Sequence, residues 1–255
     1  ASRYSQKPPP IGIELLFTVA EEQGLRGAAA FDTSKLHSTV SYVLDHATDI
    51  GEVITAAPSL HQMTAEFQGV EAHAGLVPEA GRSAIAVAAR AIDSMELGRL
   101  DDGTTANVGM IEGGTSTNVI PGSCRIHGEA RAVEPGRVAE VIAAMSDACV
   151  WAASEAGCEV DIVTREVFRG YRLPEDSPAL TIAELALKDQ GIEPKRVATG
   201  GGSDANVFIK AGFDSVLLAN GTYGNHTSSE SVPQANLGTM LEVCEAILVE
   251  AAKRC

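Results

Sequence analysis

The apolar positions of this chain fall into short strand-like runs and longer helix-spaced stretches. Ile13 to Val19 (IELLFTV) is an apolar, β-branched run that reads as a buried strand. It stops at Ala20-Glu21-Glu22-Gln23-Gly24, where carboxylates and a glycine break the pattern. A helical stretch, Leu25 to Phe31, leads to a second strand, Thr39 to Leu44, which ends at Asp45. Two strands that each end in carboxylates suggest an α/β sheet with ligands at its carboxyl edge.

From Met63 the rhythm changes. Thr64 to Gly69 reads as a strand, Ser83 to Leu97 as a helix, Ala106 to Ile111 and Cys124 to Ala132 as strands. A long amphipathic helix, Arg137 to Ala156, precedes a strand at Glu159 to Val163. This β-α-β-β-α-β order is the ferredoxin-like unit, an antiparallel sheet with two helices on one face. After Tyr171 to Pro174 come helices at Ala179 to Gln190, after Gly202-Ser203-Asp204, and at Asn236 to Lys253, with a buried strand at Ser215 to Ala219. The expected architecture is one α/β domain, residues 1–62 and 171–255, with a mostly parallel sheet and flanking helices. An inserted α+β domain at 63–170 interrupts it.

Composition narrows the function. With 45% hydrophobic and only 4% aromatic residues, any core is built from Ala, Val, Leu and Ile, and the apolar content is too high for a disordered chain. A net charge of −15 disfavours nucleic acid and anionic membrane surfaces, because like charges repel. No apolar run approaches the ~20 residues that span a bilayer. The five cysteines (Cys124, Cys149, Cys158, Cys244, Cys255) are odd in number and lack CxxC spacing, so they read as reduced thiols of a cytoplasmic protein. The chain opens ASRYSQKPPP without Met, as after removal of a leader or in a piece of a longer protein.

Several groups suit chemistry. Glu21-Glu22 at a strand end pairs a metal ligand with a general base, although a solvated turn explains the pair equally well. Asp45 is a hard oxygen donor, or simply a turn residue. His226, after a third buried strand, is a candidate imidazole ligand. The glycine-rich turn Thr199 to Asn206, with Gly201 and Gly202, offers backbone N–H groups to an anion; the alternative is a helix cap at Ser203 or Asp204. In the inserted domain, His73 suits hydrogen bonding to a developing oxyanion, and Arg131 a forked pair with a substrate carboxylate. Asn118 reads by itself as a turn residue, and Arg131 also suits a surface ion pair.

Seven segments together resemble the cocatalytic zinc peptidases of the peptidase T, carboxypeptidase G and acetylornithine deacetylase superfamily, and within it peptidase T-like proteins. They are FTVAEEQGLRGA (Phe17 to Ala28), YVLD (Tyr42 to Asp45), VEAHAG (Val70 to Gly75), EGGTSTNVIPG (Glu112 to Gly122), EAR (Glu129 to Arg131), TGGGSDAN (Thr199 to Asn206) and NHT (Asn225 to Thr227). The resemblance implies that Glu21 is the base that activates water, that Glu22 and His226 share one zinc, and that Asp45 serves another, with cobalt or manganese as alternatives. It implies that His73 and Asn118 assist the tetrahedral intermediate and that Arg131 holds a substrate carboxylate, in a lid domain that forms a homodimer. Asp at position 45 tilts the expected substrate toward short peptides cleaved by an aminopeptidase; a deacylase or carboxypeptidase of N-acyl amino acids, or a non-catalytic dimerisation module, are the alternatives.

One departure stands out. The family carries a His-x-Asp motif and a metal-bridging Asp before the paired glutamates, and this chain has no His-x-Asp; its first histidine is His37. Two tetrahedral zinc ions need about eight ligand positions. The expectation is therefore a carboxyl-terminal two-thirds of a dinuclear metallopeptidase, inactive and weakly metal-binding by itself, with a hydrophobic sheet edge exposed.

Overall fold

The computed structural model describes residue 4 and residues 8–254. The first regular elements are α1 (Arg26–Ala30), β1 (Val40–His46), β2 (Glu52–Ala57), β3 (Ser59–Gln68), β4 (Ala72–His73) and α2 (Ala84–Asp93). Then come β5 (Gly98–Asp101), β6 (Thr104–Gly113), β7 (Val119–Ile120), β8 (Ser123–Ala132), α3 (Arg137–Ala156) and β9 (Glu159–Phe168). The last are β10 (Tyr171–Arg172), α4 (Pro178–Asp189), β11 (Lys195–Ala198), α5 (Asp204–Lys210), β12 (Asp214–Ala219) and α6 (Gln234–Ala252). They form two compact units, one of residues 1–57 and 171–255, the other of residues 58–170. The division falls at Pro58, earlier than the expected position 63, because β3 begins at Ser59.

The first unit is built on the strand order β1-β12-β2-β10, with β11 also on β2. β1 runs parallel to β12 and β11 parallel to β2, while β12 and β10 are antiparallel to β2. The sheet is thus mixed rather than mostly parallel. β2, a short strand that the apolar pattern does not single out, lies at its centre and buries Val53 and Ile54 completely. Its core partners are Val216 to Leu218 of β12, Leu180, Ile182 and Leu187 of α4, and Val243 and Ile247 of α6.

α4 starts where its sequence says it should. Pro178 occupies the first turn, where no N–H is needed, and the Ser177 side chain accepts from Leu180 N at 3.0 Å. Asp214 completes the cap: its carboxylate accepts from Ser177 Oγ at 2.6 Å and from Ala179 N at 2.8 Å.

Ile13 to Val19 is not a strand. Among the described residues the segment has no ladder partner, and Leu15, Phe17 and Val19 are 65%, 88% and 75% exposed. A strand needs a neighbour to satisfy its backbone, and among the described residues β1 pairs with β12 alone. The segment is fastened by side chains instead. The Glu14 carboxylate accepts from His37 N at 3.0 Å and Ser38 N at 2.8 Å, and Thr18 Oγ1 donates to Asp204. Gly27 lets α1 pass close by, since a Cβ there would lie 2.1 Å from Val19 O.

The second unit has the strand order β5-β6-β8-β3-β9, all antiparallel. Its four long strands with α2 and α3 give the ferredoxin-like arrangement. On β3, Met63, Ala65 and Phe67 point into the core while Gln62, Thr64 and Glu66 do not, the alternation that buries one sheet face against helices. α3 ends as its sequence dictates, at Gly157 (φ 61), where Cys158 N reaches Ala153 O at 2.9 Å.

Four cysteines are free thiols, and Cys255 lies outside the described residues. Among the described residues no helix is long and apolar enough to cross a membrane.

Candidate active site

Glu21 and Glu22 open a single 3-10 turn, Glu21–Gln23, closed by Leu25 N donating to Glu21 O at 2.8 Å. The turn is flanked by Ala20 (φ 55) and Leu25 (φ 60), both left-handed without being glycine. His226 (φ 63), on the loop after β12, is the third such residue, and among the described residues there is no other. Non-glycine residues held there cost on the order of 1–3 kcal/mol each and persist where surrounding structure imposes them, frequently at active sites. All three belong to the segments that carry Glu21, Glu22 and His226.

These segments meet. Glu22 Oε2 lies 3.5 Å from His226 Nδ1, with both side chains 70% exposed. Glu21 is half-buried, and burial pushes its carboxyl up to about 7, helped by the charges of Asp45, Glu22 and Asp204 and opposed by His226. Asp45, near the end of β1, is also pushed up, by burial first and then by Asp204 and Glu22. Three expected residues from distant parts of the chain, with Glu21, thus share one electrostatic neighbourhood.

Asp204 is the member that sequence reasoning passes over. Ser203, not Asp204, caps α5 in a capping box with Asn206, which leaves the Asp204 side chain for other contacts. It is 7% exposed; one oxygen accepts from Thr18, and Oδ1 is buried without a hydrogen-bond partner. Its position after a β-strand and a glycine-rich turn is the sequence signal for it, and a helix cap accounts for an Asp there equally well. Gly201 and Gly202 lie on the loop between β11 and α5, where Gly201 N donates to Thr199 Oγ1 at 3.1 Å and Ser203 N to Asn206 Oδ1 at 3.0 Å.

The donor types at this site suit a divalent cation, but the spacing does not complete one. Among the described residues no three His, Cys, Asp or Glu side chains come close enough to hold a metal ion. Glu22, Asp45 and His226 therefore do not by themselves make a two-metal centre, for which about eight ligand positions are needed.

The inserted unit carries the other expected residues. His73 ends β4, paired with Val119 of β7, and Ala74 N donates to Asn118 O at 2.9 Å, so the two segments are tied together. Arg131 sits on β8 with its Nε 2.8 Å from Glu129 Oε1, two residues back on the same face.

Residues 55–156 match the family model of the M20 peptidase dimerisation domain. A crystal structure of aminopeptidase PepT from Bacillus cereus is similar at 38% identity and a TM-score of 0.84, over 92% of this chain and 63% of that one. A tripeptidase from Staphylococcus aureus is similar at 31% identity and a TM-score of 0.89, over 93% and 63%. The uncharacterized protein YqjE of Bacillus subtilis is 38% identical over 241 residues, 94% of this chain and 65% of that protein. The chain thus spans just under two thirds of the length of these relatives. Residues 55–156 thus carry the M20 peptidase dimerisation domain, and the chain as a whole is similar to peptidase T-like M20 peptidases.

Proposed function

We propose that the protein containing this chain hydrolyses peptide bonds of short peptides as an aminopeptidase, with Glu21 as the general base that takes a proton from the attacking water. The observation that carries this reading is geometric: the turn between left-handed Ala20 and Leu25 brings Glu21-Glu22 to His226, with Glu22 Oε2 3.5 Å from His226 Nδ1. Burial beside Asp45 and Asp204 pushes the Glu21 carboxyl up. A base poised near the working pH is both deprotonated often enough and basic enough to accept a proton. Similarity to an aminopeptidase and a tripeptidase supports peptides as the substrate class. Glu22, Asp45 and His226 are the residues that would help to hold divalent cations, zinc first, once further ligands complete the site; the cations would supply charge at the reacting oxygen. By the resemblance, His73 and Asn118 of the inserted unit would donate hydrogen bonds to a substrate oxygen and Arg131 would pair with a substrate carboxylate. Gly201 and Gly202 would bind substrate through their loop, where the Gly201 N–H would have to leave Thr199 Oγ1 to serve.

The test is Glu21→Gln in a tripeptide hydrolysis assay with zinc or cobalt supplied. A loss of at least about 100-fold in kcat, with metal content unchanged, is expected for removal of a general base. An unchanged rate would end the assignment. Faster cleavage of N-acyl amino acids than of tripeptides would move the substrate class to the deacylases.

A further inference from the structure

A side chain that stabilises a substrate oxygen must present a proton to it, and neither a neutral histidine nor an asparagine does so by composition alone. The imidazole carries its proton on one of two nitrogens, and the carboxamide presents either an acceptor oxygen or a donor nitrogen, depending on its rotation. The structure contains one group that settles each choice.

For His73 that group is the backbone of Gly75. Gly75 N donates to His73 Nδ1 at 3.2 Å. A nitrogen that accepts a hydrogen bond carries no proton, so the proton of the neutral ring sits on Nε2. The turn that brings this N–H to the ring is itself fixed, because Leu76 N and Val77 N both donate to His73 O at 3.1 Å. Position 75 also lies against the ring: a Cβ there would be 3.6 Å from His73 Cε1.

For Asn118 the group is Ser116. Its hydroxyl donates to Asn118 Oδ1 at 2.7 Å. With the oxygen turned to Ser116, the planar carboxamide directs its two Nδ2 protons to the opposite side. Without this contact both rotations of an exposed asparagine satisfy themselves with water.

We propose that Ser116 and the backbone N–H of Gly75 are positioning groups that commit Asn118 and His73 to donate hydrogen bonds to a substrate oxygen. This rests on the role given to His73 and Asn118 above. Ser116 is exposed and two residues from Asn118, so its removal leaves the fold intact.

The test is NMR of the 255-residue chain, wild type beside Ser116→Ala and Ser116→Thr. Above the pKa of the ring, the His73 nitrogen shifts are expected to report a proton on Nε2 and essentially none on Nδ1. The Asn118 side-chain amide pair is expected to move to the positions and exchange rate of a free asparagine in Ser116→Ala, and to return in Ser116→Thr, with His73 unchanged. An Nδ1-protonated population at His73 equal to that of free imidazole, or an Asn118 pair indifferent to Ser116→Ala, would overturn the proposal. A phosphinic tripeptide, a tetrahedral probe, is then added with zinc to the whole protein that contains this chain. Shifts at His73 Nε2 and Asn118 Nδ2 are expected; intact orientation without such shifts would strike the functional reading of these two residues and not the positioning by Ser116 and Gly75.

Discussion

At Glu21 burial and charge act in the same direction, and both favour the neutral acid. The carboxyl moves from 4.5 to about 7, so the folded chain holds this proton more tightly than the unfolded chain does. The sign of the linkage follows. The stability that Glu21 contributes is complete below pH 4.5 and is lost as the pH rises through 7. Without divalent ions, the melting temperature is therefore expected to fall across that window, and Glu21→Gln to flatten the fall. Asp204→Asn removes one of the neighbouring charges and should shift the same window to lower pH. Thermal melts at stepped pH check both, and a flat wild-type profile would contradict the environment described for Glu21.

Among the elements, the segment from Ile13 to Val19 shows how little an apolar pattern says about burial until a partner exists. Phe17 is 88% exposed, so Phe17→Ala is expected to change stability by no more than about 0.5 kcal/mol. The same substitution in a packed strand costs about 3–5 kcal/mol. A urea midpoint decides between these values, and a large loss would mean that the segment is packed in solution. The opposite case is Asp214. It caps α4 through Ser177 Oγ and Ala179 N, and Asp214→Ala leaves a backbone N–H without its partner. A loss of about 1–3 kcal/mol is expected, readable in the same denaturation experiment.

For the whole molecule, two units with separate cores are drawn from one chain. The second interrupts the first and carries the M20 dimerisation domain. A dimer is expected in sedimentation equilibrium at micromolar concentration, and a monomer throughout the range would overturn the homodimer that the resemblance implies. A net charge of −15 sets the salt at which this should be measured, since two such chains repel one another at low ionic strength.

Much of this protein was legible in local pattern. The period of 3.6 places α3 at Arg137–Ala156 in both the sequence and the structure, and the alternation along β8 and β3 marks their buried faces. Residue types at expected strand ends pointed to Glu21, Glu22, Asp45 and His226; Asp45 does stand near the end of β1, whereas Glu21 and Glu22 follow a segment that is not a strand. Periodicity and residue type are properties of neighbours in sequence, so the chain determines them by itself. Pairing is not such a property. That β2 holds the centre of its sheet, that Ile13 to Val19 goes without a partner, and that Asp204 joins the carboxylates through Thr18, 186 positions away, were decided only when distant parts of the chain met. Burial and charge act through space, and the distances on which they depend exist only in the folded molecule.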